Sequence, residues 1–106
     1  QSPVILNFED KRLVDVFWHS DNYHLILVTD RTIEAMEAKP EAKAVTLVVL
    51  NKRNASAAYD ENEGFLYFVD SEKAPDGRSY DNLYKLDLGE KTSPFRDLMN
   101  LNANER

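Results

Sequence analysis

The fold is decided by a stretch that occurs twice, VDVFWHSDNYHLILVTD at residues 14–30 and ASAAYDENEGFLYFVDS at residues 55–71. The two copies align without a gap, since Leu66 stands 41 residues after Leu25. Each copy begins with a strand-like segment, passes through a polar turn and ends in a segment that is apolar on both faces. Apolar runs of this length, bounded by turn residues, are typical of strands covered on both sides. The repeat therefore predicts two β-hairpins of the same design.

A second pair of segments continues each copy. IEAMEA at residues 33–38 aligns with LYKLDL at residues 83–88 at an offset of 50 residues, and Val45 then falls on Phe95. This offset is nine residues longer than the first, and the added residues lie within 72–81, around the turn signal Pro-Asp-Gly. Proline presets φ and glycine accepts a positive φ, so the segment is predicted to be an extended loop, where binding specificity often resides.

Each copy therefore holds four strand-like segments in roughly 40 to 50 residues, which is the spacing of a propeller blade. The sequence predicts an all-β chain of two tandem four-stranded propeller-type blades, at residues 13–53 and 54–106. Residues 1–12 are predicted to hold a linker and the last strand of a preceding blade, PVILN at residues 3–7.

Helix competes with strand over residues 32–43, which are rich in Glu, Ala, Met and Lys. Pro40 limits such a helix to about two turns, and isolated helices of that length are marginal in water. The matched segment at residues 83–88 has poorer helix-forming character. Strands are therefore predicted at both places.

The two hairpin copies share a pattern of residue types. An apolar strand carries Trp18 or Tyr59 near its end, a turn with Asp and Asn follows, and a second apolar run closes on Asp. With LYKLDLGEK at residues 83–91, nearly the whole chain resembles WD40-like and TolB-like β-propeller repeats. The resemblance implies a hairpin, a third strand, a tight turn and an outer fourth strand in each blade. It also implies a platform for proteins, peptides or glycans, and favours the cell envelope or the extracellular space.

Two blades cannot close a ring, because each blade buries its faces against neighbours on both sides. An isolated pair would expose two apolar sheet faces. We therefore expect either a homo-oligomer, in which three or four copies would supply the usual blade number, or a longer chain that completes the ring.

Composition limits the classes of partner. The chain has 106 residues, a net charge of −6 and no cysteine. Nucleic acid is not expected as a partner, because phosphate binding needs clustered Lys and Arg. The lack of cysteine excludes disulfides, thiolate metal sites and cysteine nucleophiles. The longest apolar run, at residues 45–50, is too short to span a membrane.

No catalytic constellation stands out, so the chain is predicted not to be an enzyme and to need no cofactor. Gly-x-Ser-x-Gly and His-Glu-x-x-His do not occur, and the three glycines form no phosphate-binding loop. A metal site made of His19, Asp21 and His24 would need a turn to bring the three together. A turn at residues 20–22 without a metal is the preferred interpretation, because Asp and Asn side chains bond their own backbone in turns.

Six residues are candidates for binding. Trp, Tyr and Arg are the residue types that most often anchor interfaces. Four of the candidates lie in the predicted loop and two flank the first hairpin turn: Asp76, Arg78, Tyr80 and Asp81, and Trp18 and Tyr23.

The predicted function is non-catalytic protein interaction or scaffolding through loop surfaces, with residues 75–81 as the main contact. A lectin-like module that binds glycans or cations through turn aromatics and acids is the alternative. A fragment of a glycoside-type hydrolase is a third hypothesis, which would need a carboxylate pair to meet in space.

Overall fold

The computed structural model describes residues 2–6 and 11–89, and within these ranges it contains seven strands and no helix. The strands are β1 Leu13–Trp18, β2 His24–Thr29, β3 Thr32–Glu37, β4 Val45–Val49, β5 Ala57–Asp60, β6 Phe65–Lys73 and β7 Ser79–Asp87. They form two antiparallel sheets: sheet 1, in the order β1-β2-β3-β4, and sheet 2, in the order β5-β6-β7. The predicted all-β class is confirmed.

The helix that competed for residues 32–43 does not form. β3 and β4 occupy this region instead and pair with each other. Ile33 and Ala35 belong to the core between the sheets, while Glu34 and Met36 line the opposite face of sheet 1. This alternation has the period of two that a strand imposes on successive side chains.

The two sequence copies adopt the same strand pairing. Trp18 pairs with Leu25 in sheet 1, and Tyr59 pairs with Leu66 in sheet 2, so both hairpins have the register that the offset of 41 residues predicts. The pairing of the second and third strands also agrees between the sheets at the longer offset. The internal repeat is therefore structural as well as sequential.

The sequence predicted an extended loop for the nine added residues of the second copy, and this prediction is wrong. β6 and β7 each contain nine residues and continue pairing as far as Lys73 and Ser79. Only residues 74–78 form the turn, closed by a hydrogen bond of 2.8 Å from the backbone N–H of Ala74 to the carbonyl of Arg78. The turn signal was correctly located, but the polar residues beside it pair across the hairpin because their backbone groups satisfy one another there.

The core lies between the two sheets. Its buried residues come from both sheets and from the segment that joins them: Ile26, Ile33, Ala35, Leu50, Ala55, Leu66, Phe68 and Leu88. Burying an aliphatic or aromatic side chain of this kind contributes roughly 1.5–3 kcal/mol. Each sheet therefore uses one face for the core and leaves the other face outward.

A buried carboxylate fixes the segment that joins the sheets. Asp70 accepts hydrogen bonds from the backbone N–H groups of Asn51 at 2.9 Å, Lys52 at 2.8 Å and Ser71 at 2.8 Å. Buried polar groups are stable only when hydrogen bonds replace the water that they lose. Asp70 thus holds the end of sheet 1 against β6.

Two of the predicted strands are not among the seven strands of the described residues. The fourth strand of the second copy, around Phe95, lies outside the described residues. Residues 2–6 are in no strand, and Asn7, the last residue of the strand predicted over 3–7, also lies outside the described part. No helix within the described ranges has the length and apolar character of a membrane span.

Candidate functional site

The turn between β1 and β2, here called the first turn, covers residues 19–23 and is organised by Asp21. Its Oδ1 accepts hydrogen bonds from the backbone N–H groups of Tyr23 at 2.8 Å and His24 at 3.1 Å. Its Oδ2 lies 2.8 Å from Nδ1 of His24. Asn22 adopts a positive φ of 61°, which asparagine tolerates better than most residues. The turn predicted from Ser, Asp and Asn is confirmed.

The hydrogen bonds in the first turn lower the pKa of the Asp21 carboxyl. Burial raises the pKa of its carboxyl, but hydrogen bonds from the backbone of Tyr23, from the His24 side chain and from the His24 backbone outweigh burial. The net result is a pKa below the ordinary value of 3.8. The carboxylate is thus a stable part of the turn at neutral pH.

His19 connects the first turn to the second copy. Its ring is buried, Nδ1 accepts a hydrogen bond of 2.9 Å from the backbone N–H of Asp21, and Nε2 lies 3.1 Å from the carbonyl oxygen of Leu88. An acceptor at Nδ1 and a carbonyl beside Nε2 together assign the proton to Nε2. The histidine is therefore used in packing the two sheets.

Ser20 locks the first turn to the corresponding turn of sheet 2. Its backbone N–H donates to the hydroxyl of Tyr59 at 2.9 Å, and its Oγ lies 2.7 Å from the same oxygen. Oγ also donates to the carbonyl of Glu61 at 2.5 Å. The two hairpin ends therefore lie side by side.

Two of the six candidate binding residues flank this fixed turn. Trp18 ends β1 and is 56% exposed, and Tyr23 precedes β2 and is 64% exposed. Large aromatic side chains with this exposure on an immobilised backbone offer contact area at a low entropic cost.

The other four candidates lie on a hairpin extension, here called the arm and defined as residues 71–81. Asp76 and Arg78 are in its turn, where the Arg78 backbone N–H and Nε each lie 3.0 Å from a carboxylate oxygen of Asp76. These two hydrogen bonds hold the pKa of the Asp76 carboxyl below its ordinary value, and the bond from the Arg78 backbone has the larger effect. Gly77 between them has a φ of 92°, a conformation that few other residues adopt.

Tyr80 and Asp81 lie further along the arm, on β7. Tyr80 is 46% exposed and pairs with Glu72 across the hairpin. Asp81 accepts hydrogen bonds from Lys52 Nζ at 3.0 Å and Ser71 Oγ at 3.1 Å, and these two bonds lower the pKa of its carboxyl. Lys52 thereby ties the base of the arm to the segment between the sheets.

The structure does not bring the six candidates together. β6 runs from the turn beside Ser20 to the arm, so the two groups lie at opposite ends of the sheets. Asp76, Arg78, Tyr80 and Asp81 share the arm, whereas Trp18 and Tyr23 share the first turn. The sequence therefore indicated two separate surfaces, not one site.

A groove on the outward face of sheet 1 was not predicted from the sequence. The groove has a volume of about 350 Å³ and is lined by apolar residues of β1, β2 and β3 together with Ile5 and Leu6. Glu34 lies at its base, where it accepts a hydrogen bond of 2.6 Å from the Thr32 hydroxyl and forms an ion pair with Lys11. The repeat contained one signal for the groove, because Glu34 aligns with Tyr84 of the second copy at the offset of 50 residues.

No group of three or more His, Cys, Asp or Glu side chains within the described ranges is arranged to hold a metal ion. Asp21 and His24 are bonded to each other and Asp21 also to the backbone, as described above. Asp60, in the acidic turn of sheet 2, accepts hydrogen bonds from the backbone of Asn62 and Glu63. These polar clusters therefore have a role in forming turns.

Comparisons with protein-family models, with curated proteins and with solved structures return no match to this chain.

Proposed function

We propose that this chain is a non-catalytic protein-interaction module of the β-propeller type, and that the arm at residues 71–81 is its contact with a partner protein. Two sheets with the same register and a common core support the comparison with tandem blades. The repeat resemblance to WD40-like and TolB-like propellers supports a platform role.

The observation that carries the proposal is the contrast between the two copies. The first copy joins β2 to β3 through Asp30 and Arg31 alone, whereas the second extends the same hairpin by nine residues. The segment from Pro75 to Leu83 is exposed throughout, so the core does not need the extension. An ordered projection without a packing role is well suited to contact another molecule.

The chemistry of the arm also favours a protein partner. Tyr80 and Arg78 are residue types enriched among the side chains that dominate binding energy. Arg78 is held by Asp76, and Asp81 is held by Lys52, so binding would immobilise few additional side chains. Less rotamer entropy is then lost on association.

The test compares two tyrosines at opposite ends of the molecule. Partners captured by the wild-type chain are quantified against those captured by Tyr80→Ala, with Tyr23→Ala as the matched control because Tyr23 is also exposed. The expected result is a partner whose affinity falls at least about tenfold for Tyr80→Ala, a loss of about 1.4 kcal/mol, and stays unchanged for Tyr23→Ala. Equal capture by wild type and Tyr80→Ala would contradict the proposal.

A glycan-binding module is the second candidate function, because Trp18 and Tyr23 are exposed beside one turn. Aromatic rings with one apolar face free can pack against the apolar side of a sugar ring. Calorimetric titration with oligosaccharides would show binding that Tyr23→Ala removes and Tyr80→Ala keeps. The same two variants thus separate the candidates.

A further inference from the structure

We infer that the outward face of sheet 1 is a docking surface for a second copy of this chain. The second copy binds there through the outward face of its own sheet 2. The inference rests on the contact between the two sheets within one chain and does not depend on the arm or on its partner.

The contact inside the chain is made by two different faces of the repeat. Sheet 1 contributes Phe17 and Ile26 to the core, whereas sheet 2 contributes Tyr59, Leu66 and Phe68. If the same face of the repeat were used twice, the contributions of sheet 2 would stand 41 residues after those of sheet 1. They do not. Ile26 of the core corresponds to Tyr67, and Tyr67 lies on the opposite face of β6 from Leu66 and Phe68, because successive side chains of a strand point to opposite faces. The internal contact is therefore head-to-tail, which means that it joins two non-equivalent faces of the repeat.

The outward face of sheet 1 is the equivalent of the packed face of sheet 2. At the offset of 41 residues, Trp18, Leu25 and Leu27 correspond to Tyr59, Leu66 and Phe68. The outward face is apolar at the same places, and Leu25 and Leu27 line the groove described above. In sheet 2 these positions are covered by a neighbouring sheet. In sheet 1 Leu27 is also buried and Leu25 is half-buried, whereas Trp18 remains 56% exposed.

The outward face of sheet 2 is the equivalent of the packed face of sheet 1. Tyr67, Val69 and Leu83 lie on it and correspond to Ile26, Val28 and Ile33, which are completely buried. Tyr67 and Val69 are half-buried, and Leu83 is 72% exposed. Lys85, the equivalent of the core residue Ala35, also lies on this face, where its Nζ is 4.3 Å from the centroid of the Phe65 ring. Each chain therefore presents two faces with exposed apolar side chains, and the equivalents of these faces already pack against each other in the core.

The edge of the groove repeats the internal contact as well. The sequence VILN at residues 4–7 matches VVLN at residues 48–51. Leu6 lines the groove, and Leu50 belongs to the core between the sheets. The N-terminal segment thus borders the groove as the joining segment borders the core, and the exposed apolar side chains of this face, among them Val16 and Trp18, lie on β1.

Polar groups at the new contact are also compatible. In the core, Ser20 is hydrogen-bonded to Tyr59. The repeat equivalents of these two residues are Glu61 and Trp18. A carboxylate then meets an indole N–H, which is a donor–acceptor pair. Glu34 and Lys11, the two charged residues that line the groove, are paired with each other, so covering them leaves no unpaired carboxylate.

A head-to-tail contact leaves one free face of each kind at the ends of the assembly, so further copies can add until the ring closes. Such an assembly can be blocked by altering either of the two faces alone. A two-fold dimer uses the same patch on both copies, so only changes in that patch affect it. Two variants with different altered faces can still form one contact between them. This behaviour separates the inference from other modes of association.

The experiment uses the complete 106-residue chain in sedimentation velocity over a dilution series. Trp18→Lys alters the outward face of sheet 1, Leu83→Lys alters the outward face of sheet 2, and Tyr80→Lys on the arm is the control. We expect the wild type and the control to exceed the mass of one chain and to dissociate on dilution. Each face variant alone should have the mass of one chain, and the equimolar mixture should have the mass of two.

Circular dichroism verifies that each variant folds, and Val16→Lys replaces Trp18→Lys if that variant does not, since Val16 lies on the same face. A wild-type chain with the mass of a monomer at every concentration would overturn the inference. Association of either face variant alone, or a mixture that stays monomeric, would overturn it too. Loss of partner capture by Tyr80→Ala tests the proposed function independently of these results.

Discussion

At the scale of single residues, two carboxylates hold the molecule together through backbone N–H groups. Asp70 joins the sheets at one end, and Asp21 organises the first turn at the other. Both accept several short hydrogen bonds from nearby backbone atoms, which is the arrangement that replaces lost hydration most completely.

Replacement of Asp70 by alanine is expected to lower the free energy of unfolding by about 1–3 kcal/mol. The N–H groups of Asn51 and Lys52 would lose their acceptor, and an unsatisfied buried donor costs this much. Urea denaturation followed by tryptophan fluorescence measures the change. Asp81→Ala is the control, because Asp81 is exposed, and its free energy of unfolding should fall by much less than that of Asp70→Ala. An equal loss for both variants would show that Asp70 has no special role.

The lowered pKa of Asp21 predicts a pH dependence of stability. Because the folded carboxyl has a pKa below 3.8, its stabilising contribution is present above that pH and is lost as the pH falls through the folded pKa. Asp21→Asn cannot ionise, so its free energy of unfolding should fall less steeply on acidification than that of the wild type. Denaturant titrations at a series of acidic pH values measure both slopes. Carboxylates common to both proteins cancel in the difference, and parallel curves would refute the assignment.

At the scale of elements, the hairpins follow from local alternation and turn chemistry. The register of both hairpins could be predicted from the repeat offset, since a pair of strands joined by a turn of fixed length has little freedom. The arm could not be distinguished from a loop in the same way. Ser71, Glu72 and Asp81 are polar, and only pairing across the hairpin, with Ser71 bonded to Asp81, shows that they form strands.

Deletion of residues 72–80 is expected to leave the fold intact and to change the free energy of unfolding by at most about 1 kcal/mol. The deletion joins Ser71 to Asp81 and leaves a connection of the same length as that between β2 and β3. No residue from 72 to 80 belongs to the core, so little apolar burial is lost. Thermal unfolding and amide exchange of β6 and β7 would verify this. A cooperative collapse of sheet 2 would show that the arm has a structural role.

At the scale of the whole molecule, each sheet packs one face against the other sheet, and the outward faces carry exposed apolar side chains such as Trp18 and Leu83. Burial of apolar surface is the main favourable contribution to association, so a partner sheet would stabilise these faces. The proposed contact, in which the outward face of sheet 1 meets the outward face of sheet 2, gives the assembly expected from the repeat a specific geometry. The mixing of face variants described above tests it at this scale.

The candidate binding residues show what the sequence could and could not provide. Tyr80 and Trp18 were selected as candidates because aromatic residues in a predicted loop or beside a predicted turn are conspicuous. Their separation onto opposite ends was not predicted, because it depends on how the hairpins pack. The ion pair of Glu34 with Lys11 was also missed, since 23 residues separate the partners along the chain.

The sequence by itself determined the all-β class, the repeat and the hairpin registers, because each of these depends on residues that are close together in the chain. Only the tertiary structure decided which face of each sheet forms the core, where the groove lies and that the arm is ordered. These features depend on contacts between distant residues, such as Ser20 with Tyr59 and Asp70 with Lys52. Side-chain alternation divides a strand into two faces, but the neighbour that covers a face is chosen by packing in three dimensions.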